Sequence, residues 1–132
     1  MFSYIRNSGG AAGSMPLFAV VASFAACTTV STLPDPLAAG WDGVPVCQLL
    51  HEDLKQRILR CTFEPGVGHE RHFHVRHFGY AISGGRMQIT DASGVRVVDL
   101  STGSSFTSPG ILWHEVMNVG DTTTDFLIVE PK

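Results

Sequence analysis

The chain has 132 residues, a single-domain length, of which 44% are hydrophobic and 16% charged. Its nine Lys and Arg are scattered, and a net charge of −3 with a pI near 6.0 supplies no basic field for nucleic acid. The 14 glycines and seven prolines fall at none of the spacings that cradle a phosphate; they punctuate short apolar runs, as in a chain with many turns.

Residues 1–33 differ from the rest in composition. No side chain between Asn7 and Pro34 is charged, and the run from Pro16 to Cys27 is almost wholly apolar. A membrane-spanning helix needs roughly 20 apolar residues, so the run is short for a span and has the size of the apolar region of an export signal. It ends in Ala25 and Ala26 directly before Cys27, which resembles the lipobox of bacterial lipoproteins, with Phe24 in place of the usual aliphatic residue. That resemblance implies a periplasmic or membrane-anchored protein whose only membrane attachment is a lipid at Cys27. The alternative is a cytoplasmic chain with an apolar N-terminal extension that packs on the domain or on a partner. Residues 34–43, with two prolines and two glycines in ten positions, read as a linker, and the ordered domain is expected over 44–132.

From residue 44 onward the pattern is all-β. Strands are expected at 44–50, 57–63, 69–75, 78–83, 86–90, 95–100, 105–107, 113–118 and 125–130, separated by Gly, Asp, Ser and Pro at the reversals. No ten-residue stretch in this region has helical periodicity. Short strands at even spacing imply a sandwich or barrel, with a double-sheet jelly roll as the expected closure. Phe63, Phe78, Ile82, Met87, Leu112 and Phe126 are among the apolar residues expected to line its interior.

Four of the six histidines fall within nine positions, His69 to His77. His72 and His74 are spaced i, i+2, so on a strand both imidazoles project from one face while Phe73 and Val75 take the other. Two neutral imidazoles on one face make half of a first-row metal site, and His77 can join after a bend. Farther on, Leu112, His114, Val116 and Asn118 share one face of a strand, and Trp113, Glu115 and Met117 the other. A lone histidine on an apolar face is most often a core residue; beside the first cluster, His114 becomes a candidate ligand.

Both stretches resemble the two motifs of the cupin family. The first motif is a Gly, five residues, His-X-His, three or four residues, a Glu, six residues and a Gly. Here Gly66, His72, His74 and Gly84 match, with His77 standing one residue early in place of the Glu. The second is a Gly, five residues, Pro, a nearby Gly, His, three residues and Asn. Gly103, Pro109, Gly110, His114 and Asn118 fit it, with the Gly directly after the Pro. The resemblance covers roughly residues 60–118 and implies a jelly-roll barrel whose two motif strands face each other across its mouth. It implies a divalent transition metal on His72, His74, His114 and, replacing the carboxylate, His77. Such a neutral ligand set favours Fe, Zn, Cu, Ni or Mn over Mg or Ca and leaves the ion's charge to attract an anionic partner. The alternative for His77 is a side chain packed beside a three-histidine site.

Candidate acids or bases are Tyr80, beyond His77, and Glu70, which shares the His72 face by parity. Tyr80 can equally cap the barrel rim. His69 is expected to be exposed in a loop, and Glu115 faces away from His114. Cys47 and Cys61 lie equidistant from Leu54 across a hairpin-like turn, placed either to pair as a disulfide or to sit as two buried thiols. The function that these features imply is a metal-dependent enzyme of dioxygenase, isomerase or lyase type acting on a small polar or anionic metabolite. The alternative is a non-catalytic cupin that binds or senses a small ligand. The family resemblance also implies a homodimer, with Trp113 on an outer face available for subunit contact.

Overall fold

The computed structural model describes residues 32–132. The readings of residues 1–31, namely the export signal and the lipid anchor at Cys27, lie outside the described residues. Those described form eleven strands and no helix. They are β1 (Gly40–Trp41), β2 (Val44–Pro45), β3 (Cys47–Glu52), β4 (Gln56–Phe63), β5 (Gly68–His74) and β6 (His77–Ser83). These are followed by β7 (Gly85–Asp91), β8 (Gly94–Leu100), β9 (Ser105–Ser108), β10 (Ile111–Asn118) and β11 (Thr124–Pro131).

Besides the small β1-β2 pair, two larger antiparallel sheets result: a four-stranded one in the order β5-β10-β7-β8 and a five-stranded one in the order β3-β4-β11-β6-β9. This is the jelly roll expected from the turn spacing. Alternation places Leu59, Cys61 and Phe63 of β4, Ala81 of β6, Met87 of β7 and Phe126 and Ile128 of β11 in the shared core. Asn118, at the end of β10, is buried and fastens the neighbouring turn. Its amide donates to the carbonyls of Phe63 (2.9 Å) and Thr122 (2.7 Å), and its Oδ1 accepts from the Gly120 N–H (2.9 Å).

Three residues expected inside are outside. On β6 the inward positions are His77, Gly79 and Ala81, so Phe78 and Ile82 fall on the outer face, about 40% exposed. Gly79 faces in because the Phe106 ring occupies the space over it; a Cβ there would lie 2.2 Å from the ring. Leu112 is 91% exposed because β10 carries an extra residue between Ile111 and His114 relative to β5, which breaks the alternation.

The stretch 34–43, read as a linker, packs against the sheets. Its prolines keep it from a long ladder, which leaves carbonyls free: the Phe73 N–H donates to Pro34 O at 3.1 Å, and Pro36 and Ala39 are buried. Asp35 accepts from the Leu37 and Ala38 N–H groups and pairs with Arg57 at 2.6 Å. Asp42 and Gly43, both at positive φ, form the two-residue turn of the β1–β2 hairpin, and Trp41 lies close over Gly68 of β5. The segment therefore ties β4 to β5.

Cys47 and Cys61 are direct cross-strand partners on β3 and β4 and form a disulfide, which resolves the two alternatives for them. It closes a loop with a sequence separation of 14, for which chain-entropy arguments give about 3 kcal/mol. Replacing both cysteines by alanine should lower the unfolding free energy by about that amount, measured by urea titration against the oxidised wild type.

Candidate metal centre

Local irregularity sets the histidines. In the β5–β10 ladder His74 lies opposite Ile111, His72 opposite His114, and His69 opposite Val116. β10 has one extra residue in the first interval and β5 one extra in the second. The second bulge puts His69 on the same inward face as His72 although they are three residues apart. His69 is accordingly buried, not exposed in a loop: its Nε2–H points between the carbonyls of Pro36 (3.1 Å) and Ala39 (3.3 Å), and its ring lies 3.8 Å from that of His72. The same bulge turns the Glu70 side chain to solvent, against the parity expectation. Only its backbone takes part, accepting the His72 Nδ1–H at 2.6 Å.

That bond decides what faces the centre. With Nδ1–H committed, His72 Nε2 carries one lone pair, yet two ring nitrogens approach it: His74 Nε2 at 3.1 Å and His114 Nε2 at 3.0 Å. A single shared proton satisfies one of these contacts. A cation between the three nitrogens satisfies all of them, and separations near 3 Å suit neighbouring ligands at metal–nitrogen distances of roughly 2.1 Å. Among the described residues, His72, His74 and His114 offer one ligand atom each within 4.8 Å of one another, so they can hold a metal ion.

His77 stands beside this trio. It is buried, its ring centroid is 4.6 Å from that of His74, and its Nδ1–H donates to Val75 O at 2.9 Å, which keeps a lone pair on Nε2. Tyr80 lies on the outer face of β6, 39% exposed between buried Gly79 and Ala81, away from the histidines. Glu115 faces outward as expected and pairs with Arg71 at 3.0 Å, and the Arg71 guanidinium sits 4.0 Å from the Trp113 ring.

The sequence reading missed Glu130. It is 2% exposed on the inner face of β11, and Oε1 accepts from His74 Nδ1 at 3.3 Å while Oε2 accepts from Arg57 Nε at 2.7 Å. Burial alone would raise its pKa, but the His74 and Arg57 hydrogen bonds hold it below the usual carboxylate range. The available signal was parity: Phe126, Ile128 and Glu130 alternate inward, and a charge at an inward position needs a buried partner. A carboxylate behind a ligating imidazole fixes its tautomer and strengthens it as a donor.

Burial, the largest cause in each case, pushes His69 down to about 4, His72 to about 2 and His114 to about 3, with repulsion from neighbouring imidazoles adding to it. At neutral pH these three rings are uncharged, the state in which imidazole binds metal.

The sequence matches the family described as a cupin domain over residues 59–130. A search of curated proteins finds no match. Among solved structures, a cupin domain from Bordetella pertussis is similar at 23% identity over 66% of this chain and 92% of that one, with a TM-score of 0.63. The polyketide cyclase RemF from Streptomyces resistomycificus is similar at 20% identity over 64% of this chain and 63% of that one, TM-score 0.53. A cupin superfamily protein from Desulfitobacterium hafniense follows at 15% identity, 64% of this chain and 74% of that one, TM-score 0.51. At these identities the likeness is one of fold.

Two outcomes follow from the geometry. Glu130→Gln keeps the shape but removes the charge behind His74, and should weaken metal binding roughly 10–100-fold in a chelator competition. In metal-free protein, His69, His72 and His114 protonate near pH 6.5 in the unfolded chain, while in the folded one they resist until about 4 or below. The unfolded state thus binds more protons across that window, and stability should fall steadily as pH drops below about 6.5, read from urea midpoints between pH 7 and 4.

Proposed function

This chain belongs to the cupin family, and on that premise we propose that it is a metal-dependent enzyme of small-molecule chemistry, with a divalent transition metal (Fe, Zn, Cu, Ni or Mn) held by His72, His74 and His114. The observation that carries the reading is the single lone pair of His72 Nε2 facing two ring nitrogens near 3 Å. When bound, such an ion supplies Lewis acidity or, if redox-active, oxygen chemistry.

The chain's own residues have distinct parts. Glu70 O and Glu130 fix the tautomers of His72 and His74 so that Nε2 points inward in both. His77 brings a fourth nitrogen beside the trio, either as a further ligand or as the group that moves a proton, since neither Tyr80 nor the Glu70 side chain lines the cavity where the histidines meet. That shortage of further acid or base groups is also what favours the second reading, a non-catalytic binder of a small ligand.

Two other features belong to the proposal. The Cys47–Cys61 disulfide supports a working place in an oxidising compartment, in keeping with export. The row Phe78, Tyr80 and Ile82 on the outer face of β6 supports pairing of two copies of the chain.

Elemental analysis of protein purified without chelators or a histidine tag tests the centre. Wild type should carry near-stoichiometric metal, and His74→Ala should lose it. Loss in His77→Ala as well makes the site four-histidine; retention there leaves three ligands and frees His77 for proton transfer. Wild type that takes up no metal, even on reconstitution, overturns the proposal.

A further inference from the structure

Between the sheets lies a cavity of about 320 Å³. That is roughly twice the 150 Å³ in which a buried apolar cavity accepts a benzene ring. The histidines His72, His74, His77 and His114 line it together with an apolar wall that includes Phe63, Met87, Val98, Leu100, Phe126 and Ile128. Elsewhere in the lining only Arg96, Ser108 and His69 have hydrogen-bonding side chains, and each already has a partner. The Arg96 guanidinium donates to Asp91 Oδ2 at 2.7 Å, Ser108 Oγ accepts the Gly110 N–H at 3.2 Å, and the His69 Nε2–H faces backbone carbonyls.

A ligand decorated with hydroxyls or several carboxylates would shed water along this mostly apolar wall and receive few partners in return. Hydrocarbon surface would gain by the same transfer. The cavity reaches the unpaired edges of both sheets, β8 through Val98 and Leu100 and β9 through Phe106. Phe106 stands at this boundary, 39% exposed, with its ring 6.0 Å from that of His77 and 6.5 Å from that of Phe126. A molecule reaching the histidines from this seam lies against that ring.

We propose that the ligand of this centre is an apolar-bodied acid: one anionic oxygen-donor head directed at the histidine-held ion, and a ring-sized hydrocarbon body packed between the sheets with Phe106 setting its size. The inference rests on the metal reading above, because neutral imidazoles leave the ion's charge to draw an anionic head. It keeps the anionic character expected from the ligand set and replaces the small polar body with an apolar one.

Calorimetric titration of metal-loaded full-length protein with acetate, benzoate, 2-naphthoate and citrate tests this, with metal content measured on the same samples. The dissociation constant should fall about tenfold or more from acetate to 2-naphthoate, and citrate should bind no tighter than acetate. Phe106→Ser should remove most of that gain, while Phe106→Leu, which keeps an apolar side chain at the rim, should retain it. Acetate or citrate binding as tightly as 2-naphthoate to metal-loaded protein overturns the ligand class and leaves the metal centre standing. Equal affinity of 2-naphthoate for loaded and metal-free protein takes the head off the ion and overturns it as well. Failure of the wild type to take up metal overturns both readings together.

Discussion

The site depends on a ladder that is out of step twice. β5 and β10 each hold one extra residue, in successive intervals, so the two strands fall back into register after placing His72 opposite His114. A regular ladder would have put His69 and His72 on opposite faces, because side chains alternate with a period of two. The paired bulges instead bring His69, His72, His74 and His114 to the inner face. They send Glu70, Arg71, Leu112 and Trp113 out of the regular alternation. The ejected side chains are put to use: Arg71 lies over Trp113 and pairs with Glu115, bracing the outer side of the ladder that carries the ligand set.

Behind that inner face runs a chain of charge. His74 leans on Glu130, Glu130 on Arg57, and Arg57 on Asp35 in the segment that ties β4 to β5. Where the family motif has a carboxylate ligand, this chain has His77, and a carboxylate sits one layer farther out. The negative charge is thus moved behind an imidazole. There it can support His74 as a candidate ligand without taking a coordination place itself, and Arg57 prevents it from being a bare buried charge.

What was legible in the sequence was whatever follows from local periodicity and turn chemistry. The all-β class, the strand spacing and the i, i+2 pair His72 and His74 all depend on neighbours within a few residues. The faces of Glu70, His69 and Leu112 depended on bulges, which arise from pairing with a strand some forty residues away. Phe78 and Ile82 faced outward because β6 turns its glycine and alanine inward beneath Phe106, a long-range steric demand that apolar counting does not register. Parity marked Glu130 as an inward position, but its role depended on Arg57 and His74, which are distant in sequence. Residues 34–43 carried a linker's composition, yet the free carbonyls that such a composition leaves are what let them pack.

β8 and β9 each have a neighbour on one side only. The side chains they turn into the cavity, Val98 and Leu100 from β8 and Phe106 from β9, come from strands other than β5 and β10, which carry His72, His74 and His114. The fold therefore separates the part that must be held constant from the part that can drift. Relatives with the same histidines can diverge in what they accept through exchanges at Val98, Leu100 and Phe106, with little disturbance to the chemistry behind them.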